Sequence, residues 1–239
     1  MLSLITCTGG RPEAFRLLET WMVRQDLQNT SVEWIVVDDC DPPTHVRFGQ
    51  TVIRPMPRWE PGGQQTFNRN MLVGLAAATG EKILFIEDDE FYGRAYLHNM
   101  NTLLDSSQLV GQTPARYYHV GIRRFRVLPN HTHASLCQTG IRAELKTRLR
   151  GLLEASPTPF VDIPLWNPLT AGTLVRGTDV VSIKGLPGRP GIGIGHRPGR
   201  GRPASWIPDS NLEQLKQWCG DQLADLYACY ADLDVIRNT

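Results

Sequence analysis

The chain opens on an apolar stretch, Leu2-Ser3-Leu4-Ile5-Thr6, of strand length and without helical period, closed by Thr8-Gly9-Gly10. Pro12 then stands where a first helical turn accepts it, with Glu13 near the positive helix end. Phe15, Leu18 and Met22 recur at helical spacing, flanked by Leu17 and Trp21. A second continuous apolar run, Val32-Glu33-Trp34-Ile35-Val36-Val37, stops in Asp38-Asp39-Cys40-Asp41-Pro42-Pro43. Thr51-Val52-Ile53-Arg54 reads as a third strand and runs into a loop of Pro, Gly and aromatic residues over 55–63. From Gln65 to Thr79 the period is helical again, with Phe67, Met71, Leu72 and Leu75 inward and Gly80 as C-cap. Ile83–Ile86 is a fourth strand, and four consecutive carboxylates follow it: Glu87, Asp88, Asp89 and Glu90. This β-α-β-β-α-β order, with acids at the carboxyl ends of two strands, predicts an open α/β sheet that binds its ligand at those ends. No GxGxxG follows the first strand, so the dinucleotide fingerprint is absent.

Beyond this half the pattern loosens. Residues 94–110 read as a helix, and the segment from Arg116 to Val127 alternates as strands do. A helix is predicted from Gly140 to Leu153, which would put Arg142, Lys146 and Arg150 on one face. From Ser156 to Pro208 the chain is rich in Pro and Gly, with short strands at 172–176 and 180–183. A helical stripe of Leu212, Leu215, Cys219, Leu223, Leu226, Tyr230 and Leu233 follows, with Ser210 and Glu213 spaced as a capping box. Gly220 weakens or splits that helix. The whole is expected to be one domain over 1–239: a ligand-binding half (1–110), a basic half (111–206) and a C-terminal helix (207–239).

Charge sharpens this division. The net charge of +1 conceals −5 over residues 1–110, +10 over 111–206 and −4 over 207–239. Twelve of the fourteen cations in the middle segment are arginine, the side chain that forks onto phosphate. Such a block suggests a polyanionic or phosphorylated partner, although exposed strands also use arginine merely to stay soluble. No apolar stretch reaches bilayer length, and the N-terminus carries no basic leader. Five cysteines, odd in number and never spaced CxxC, argue against a disulfide framework or structural zinc. The cytoplasm is therefore the expected location, that of the host if the protein is phage-encoded.

Four adjacent acids at a strand end repel one another unless a cation or a ring of donors neutralises them. Mg²⁺ and Mn²⁺ bind carboxylate oxygens and share them with phosphates. The acids alone equally fit a solvated turn, and Asp38 with Asp39 equally a turn before Pro42. In order and at this spacing, however, the N-terminal strand, "VVDD" and "FNRNMLVGLAAATGEKILFIEDDE" resemble the nucleotide-sugar half of GT-A glycosyltransferases. The resemblance implies a Rossmann-like mixed sheet flanked by helices. It places Asp38 and Asp39 on the nucleoside of a nucleoside diphosphate sugar, with Thr6, Thr8 and Arg11 in the same pocket. It aligns Glu87-Asp88-Asp89 with the family's DxD motif, so that Asp89 binds the metal and Asp88 contacts the donor. Asn68, Arg69 and Asn70 match a polar helix face near the sugar and phosphates. His196-Arg197-Pro198-Gly199-Arg200-Gly201-Arg202-Pro203 is similar to the HxxGxxKP loop of some metal-dependent members. That similarity puts His196 on the metal and Arg202, in place of lysine, on the β-phosphate. The tryptophan that follows proline there is replaced by Trp206, three residues later.

The expected activity is thus metal-dependent transfer of a sugar, with UDP-hexose (UDP-glucose) as favoured donor, to an acceptor hydroxyl. An inverting reaction needs a carboxylate base, and Asp162 and Asp179 are the only acids between Glu154 and His196. The basic half makes a hydroxymethylated pyrimidine in DNA a plausible acceptor, the enzyme then resembling phage enzymes that glycosylate flipped-out bases. A glycan or other acceptor, a nucleotidyltransferase reaction at Thr8-Gly9-Gly10-Arg11, and non-catalytic nucleic-acid binding are the alternatives.

Overall fold

A computed structural model describes residues 1–167, 172–196 and 206–230. In chain order its elements are β1 (Leu2–Thr8), α1 (Pro12–Met22), β2 (Val32–Asp38), β3 (Thr51–Ile53), α2 (Phe67–Ala77), β4 (Lys82–Phe85) and β5 (Glu90–Tyr92). There follow α3 (Tyr96–Ser106), β6 (Leu109–Thr113), β7 (Ala115–His119), β8 (Arg124–Leu128), β9 (Thr139–Arg142), α4 (Lys146–Ala155) and α5 (Asp162–Leu165). Then come β10 (Gly172–Arg176), β11 (Val180–Lys184), β12 (Ile207–Pro208), α6 (Glu213–Cys219) and α7 (Asp221–Ala228).

Seven strands form the main sheet in the order β10-β6-β9-β4-β1-β2-β3. β1 lies between β2 and β4 and is parallel to both, which is why its run of apolar residues is continuous rather than alternating. On one face Ile5, Ile35, Ile83 and Phe85 pack under Met71 and Leu75 of α2 and Leu149 of α4. On the other, Leu4, Val36 and Leu84 pack under Phe15 of α1 and Met100 of α3. Gly74 lets α2 settle on β1, since a Cβ there would come within 2.5 Å of the Ile5 side chain.

The helix expected over 140–153 is a correction. Its first residues form β9, antiparallel to both β4 and β6, and the helix starts at Lys146. Gly140 fits the slot because Leu84, Leu104 and Val110 crowd the space a side chain would fill. The basic face dissolves with it: Lys146 donates to the Ala78 carbonyl at 2.8 Å, while Arg150 pairs with Glu154. The stripe after 210 divides at Gly220 into α6 and α7. The Ser210–Glu213 box does not form; the Asp209 carboxylate caps α6 instead, accepting from the backbone N–H groups of Gln214 and Leu215 at 3.1 Å each.

A second sheet, β12-β8-β7-β11-β5, stands at the carboxyl end of β4. Its core of Phe91, Tyr118, Val181 and Ile183 is shared with Trp21 of α1 and with Leu215 and Tyr227 of the C-terminal helices. No helix among the described residues is long and apolar enough to cross a membrane.

At the opposite end of the main sheet Glu33 accepts hydrogen bonds from the hydroxyl of Ser3 and the backbone N–H groups of Thr79 and Gly80. Burial would raise its pKa, but these donors outweigh it and hold the group below the ordinary carboxylate value of 4.5. A lowered folded pKa means that Glu33 stabilises the fold above about pH 4.5 and stops doing so as pH falls through the folded value. Glu33→Gln is therefore expected to cost about 1–2 kcal/mol in urea denaturation at pH 7 and less near pH 3. An equal cost at both pH values would show that the charge is not what matters.

Candidate active site

Parallel neighbours β1 and β4 end at the same edge, so the turn after Thr8 meets the acids after Ile86. Thr8 Oγ1 donates to Asp88 Oδ2 at 2.7 Å, and the Arg11 guanidinium donates to Asp88 Oδ1 and, at 3.0 Å, pairs with Asp89 Oδ2. β11 supplies the third wall. Its register beside β5 brings Lys184 Nζ to 2.9 Å from Asp89 Oδ2 and 2.8 Å from Glu90 Oε1. The loop after Lys184 turns back over the acids and sets His196 Nε2 2.9 Å from the same Asp89 oxygen. That return needs glycine: Gly188 has φ +111°, and a Cβ there would lie 2.5 Å from the Gly10 carbonyl. Gly191 lies directly against the His196 ring.

These groups border a cavity of about 530 Å³. The half-buried Glu87 and the buried Asp88, Asp89 and Glu90 crowd together in it around Arg11 and Lys184, and the crowding is written in their pKa values. Burial and the neighbouring Glu90 and Asp89 push Glu87 up to about 8. Burial also raises Asp88 and Glu90, with Asp89 adding to both. Asp89 goes the other way: burial would raise it, but Arg11, Lys184 and His196 hold it well below the usual carboxylate range. Burial lowers His196, and Lys184 beside it adds to that effect, so its imidazole is neutral at pH 7. Glu90 Oε2 is buried without a hydrogen-bond partner among the described residues.

A divalent cation suits this donor set. Asp89 and His196 bring a carboxylate oxygen and an imidazole nitrogen within 2.9 Å, donor types that a divalent cation would take. A neutral imidazole has a lone pair to give, and the excess of buried carboxylates favours positive charge. Glu87, Glu90 and Cys137 also offer ligand atoms within 4.8 Å of one another. Burial raises the Cys137 thiol well above its ordinary value, so a cation bound there would have to displace its proton.

Of the residues singled out in the sequence, Thr8, Arg11, Asp88, Asp89, Asp162 and His196 line the cavity. Thr6, Asp38, Asp39, Arg69 and Asp179 do not border it. Thr6 accepts from the Trp34 indole at 2.9 Å, and Asp38 accepts from the backbone N–H groups of Cys40 and Thr44. Asp39 is fully buried and receives Thr66, Arg69 and Asn70 on one oxygen and Arg189 on the other. Asp179 accepts from Asn99 and Gln112. Asn68 ties the carbonyls of Leu153, Ser156 and Thr158 together, whereas Asn70 reaches the cavity wall. Arg202 lies outside the described residues.

Two site residues carried no signal of their own in the sequence. Lys184 is the polar end of the strand Val180–Lys184, and nothing local marks its partners in β5. Arg189, in a run of Gly and Pro, bridges Asp39 and the Trp59 ring, its guanidinium 4.1 Å from the ring centre.

No protein-family model and no curated protein sequence matches the chain. Solved structures do. TarS of S. aureus superposes with TM-score 0.54 at 15% identity, over 76% of this chain and 36% of that one. TarS 1-349 in complex with UDP-GlcNAc gives TM-score 0.55 at 15% identity, over 80% and 59%. The mannosyltransferase PcManGT of Pyrobaculum calidifontis, in complex with GDP-Man and Mn²⁺, gives 0.54 at 15% identity, over 78% and 57%. The chain thus spans between 36% and 59% of the length of these neighbours. The fold is that of the GT-A glycosyltransferases.

Proposed function

We propose that the protein transfers a sugar from a nucleoside diphosphate sugar to an acceptor hydroxyl, using a divalent cation at Asp89 and His196. The observation that carries this reading is the convergence of Asp88, Asp89, Arg11, Lys184 and a neutral His196 at the carboxyl ends of β1 and β4. That is where open α/β sheets take their ligands. Mn²⁺ or Mg²⁺, held by Asp89 and His196, would supply charge neutralisation for the departing diphosphate.

The chain's own residues do the rest. Arg11 stands over Asp88 and Asp89, placed to meet phosphate oxygens as they gain charge. Arg202 is assigned the same work from the loop resemblance. Thr8 and Asp88 form the floor of the donor pocket, and Arg189, held against the Trp59 ring, its rim. Asp39 and Arg69 hold the lining residues Thr66, Asn70 and Arg189 from behind, whereas the bonds of Thr6 and Asp38 go to Trp34, Cys40 and Thr44. For a reaction with inversion, Asp162 is the acid placed on the cavity to accept the acceptor proton, whereas Asp179 is spent on Asn99 and Gln112.

A UDP-hexose is the favoured donor, in keeping with the UDP-GlcNAc bound by TarS; the GDP-Man of PcManGT makes the base a matter for measurement. For the acceptor, the +10 segment supports a polyanion such as DNA bearing a hydroxymethylated pyrimidine. Binding to duplex DNA that weakens steeply with salt is the expected sign. A thermal shift screen with Mn²⁺ over UDP-, GDP- and dTDP-sugars tests the donor reading. A donor at about a hundred times its Kd should raise Tm by about 5–10 °C. If none of them moves Tm, the proposal fails.

A further inference from the structure

Across the second sheet, one transverse row of residues is in register: Glu90 opposite Ser182, Ser182 opposite Tyr117, and Tyr117 opposite Arg126. All four line the cavity. Residues paired in this way project from the same face, so the row is a continuous wall leading away from the acids. Each step is one strand spacing of about 4.8 Å, which separates Glu90 from Arg126 by about 14 Å between backbones. A hydroxyl and a phenol, not cations, fill the interval.

Arg126 is unlike the other cations of the cavity. Arg11 and Lys184 are matched to Asp88, Asp89 and Glu90, and Arg189 to Asp39. Arg126 is half-buried and has no hydrogen bond or ion pair among the described residues. Leu128, Phe160, Ile163 and Ile192 supply apolar lining to the same cavity. A guanidinium on the cavity wall with no acid to meet it is open to a ligand, and an oxyanion is the partner its planar fork fits.

Resting on the proposed donor site, we infer that this row is the acceptor track and that Arg126 binds an anionic oxyacid group, phosphate or carboxylate, carried by the acceptor. A diphosphate lying over Arg11 and Asp89 is three strands away from Arg126, so the two anion positions are separate. The acceptor hydroxyl would lie toward the Glu90 end, with its charged group further along the row at the Arg126 end. Tyr117, between them, offers a ring and a hydroxyl to whatever links the two.

The test is calorimetric titration of the protein saturated with Mn²⁺ and whichever of UDP or GDP stabilises it more. The probes are glycerol 3-phosphate, glycerate and glycerol. The charged probes are expected to bind and glycerol not, with the stronger of the two identifying phosphate or carboxylate. Arg126→Gln should weaken the charged probe at least tenfold, Arg126→Lys should recover part of the loss, and nucleotide affinity should stay within twofold. Equal binding of glycerol, no binding of any probe, or an unchanged affinity in Arg126→Gln overturns the inference while leaving the donor site standing. A loss of nucleotide affinity in Arg126→Gln overturns it by assigning Arg126 to the donor. If the parent protein binds neither nucleotide, the donor reading fails first and the acceptor track falls with it.

Discussion

Asp89→Asn is expected to lower sugar transfer by about 10²–10³-fold, the usual cost of removing one group that stabilises developing charge. One oxygen atom is responsible. Asp89 Oδ2 receives Arg11, Lys184 and His196 at 2.9–3.0 Å, so it is the point where the phosphate-facing cations and the proposed metal ligand are held together. Asparagine keeps the shape but surrenders the charge, and Arg11 and Lys184 each lose one of two acidic partners. The variant should also bind Mn²⁺ more weakly in the presence of nucleotide, which calorimetry measures apart from turnover. A variant that folds and turns over normally would place the chemistry elsewhere.

The second large effect is on stability. Lys184→Met should cost about 3–5 kcal/mol in denaturant unfolding, because breaking a buried pair from one side leaves uncompensated charge. Lys184 is buried with both Asp89 and Glu90 on its ammonium, and burial would lower its pKa, but the two acids outweigh it and hold it well above the ordinary value. The double variant Lys184→Met/Glu90→Gln should recover a good part of the loss, since it also removes the acid whose second oxygen already lacks a partner. Strict additivity of the two changes would mean that the pair is not coupled.

What was legible in the sequence follows the physics of burial. β1, β2 and β4 are neighbours running parallel inside a sheet with helices on both faces, so each reads as an apolar run, with acids at the ends of β2 and β4. α1 and α2 each bury one stripe and show helical period. β9 was illegible because Gly140 is chosen for the space between Leu84 and Val110, a reason that lies in residues far along the chain. Lys184 is the same kind of case: its role comes from pairing with β5, nearly a hundred residues earlier. Asp38 and Asp39 look alike in sequence, yet one is satisfied by its own turn and the other by Thr66, Arg69, Asn70 and Arg189. Adjacent carboxylates can therefore suggest one shared site while the fold gives them separate work. The basic segment divides similarly. Arg150 and Arg189 are held by acids and Arg148 by a carbonyl, which leaves Arg126 as the cation that faces the cavity unmatched.

The central claim is tested most directly by incubating the protein with Mn²⁺ and UDP-, GDP- or dTDP-sugars and identifying the nucleotide product. The account predicts release of the free nucleoside diphosphate from one donor, stopped by chelation and by Asp89→Asn. Absence of release from every donor by a folded, metal-loaded protein, or formation of pyrophosphate from a nucleoside triphosphate and a sugar phosphate instead, would contradict it.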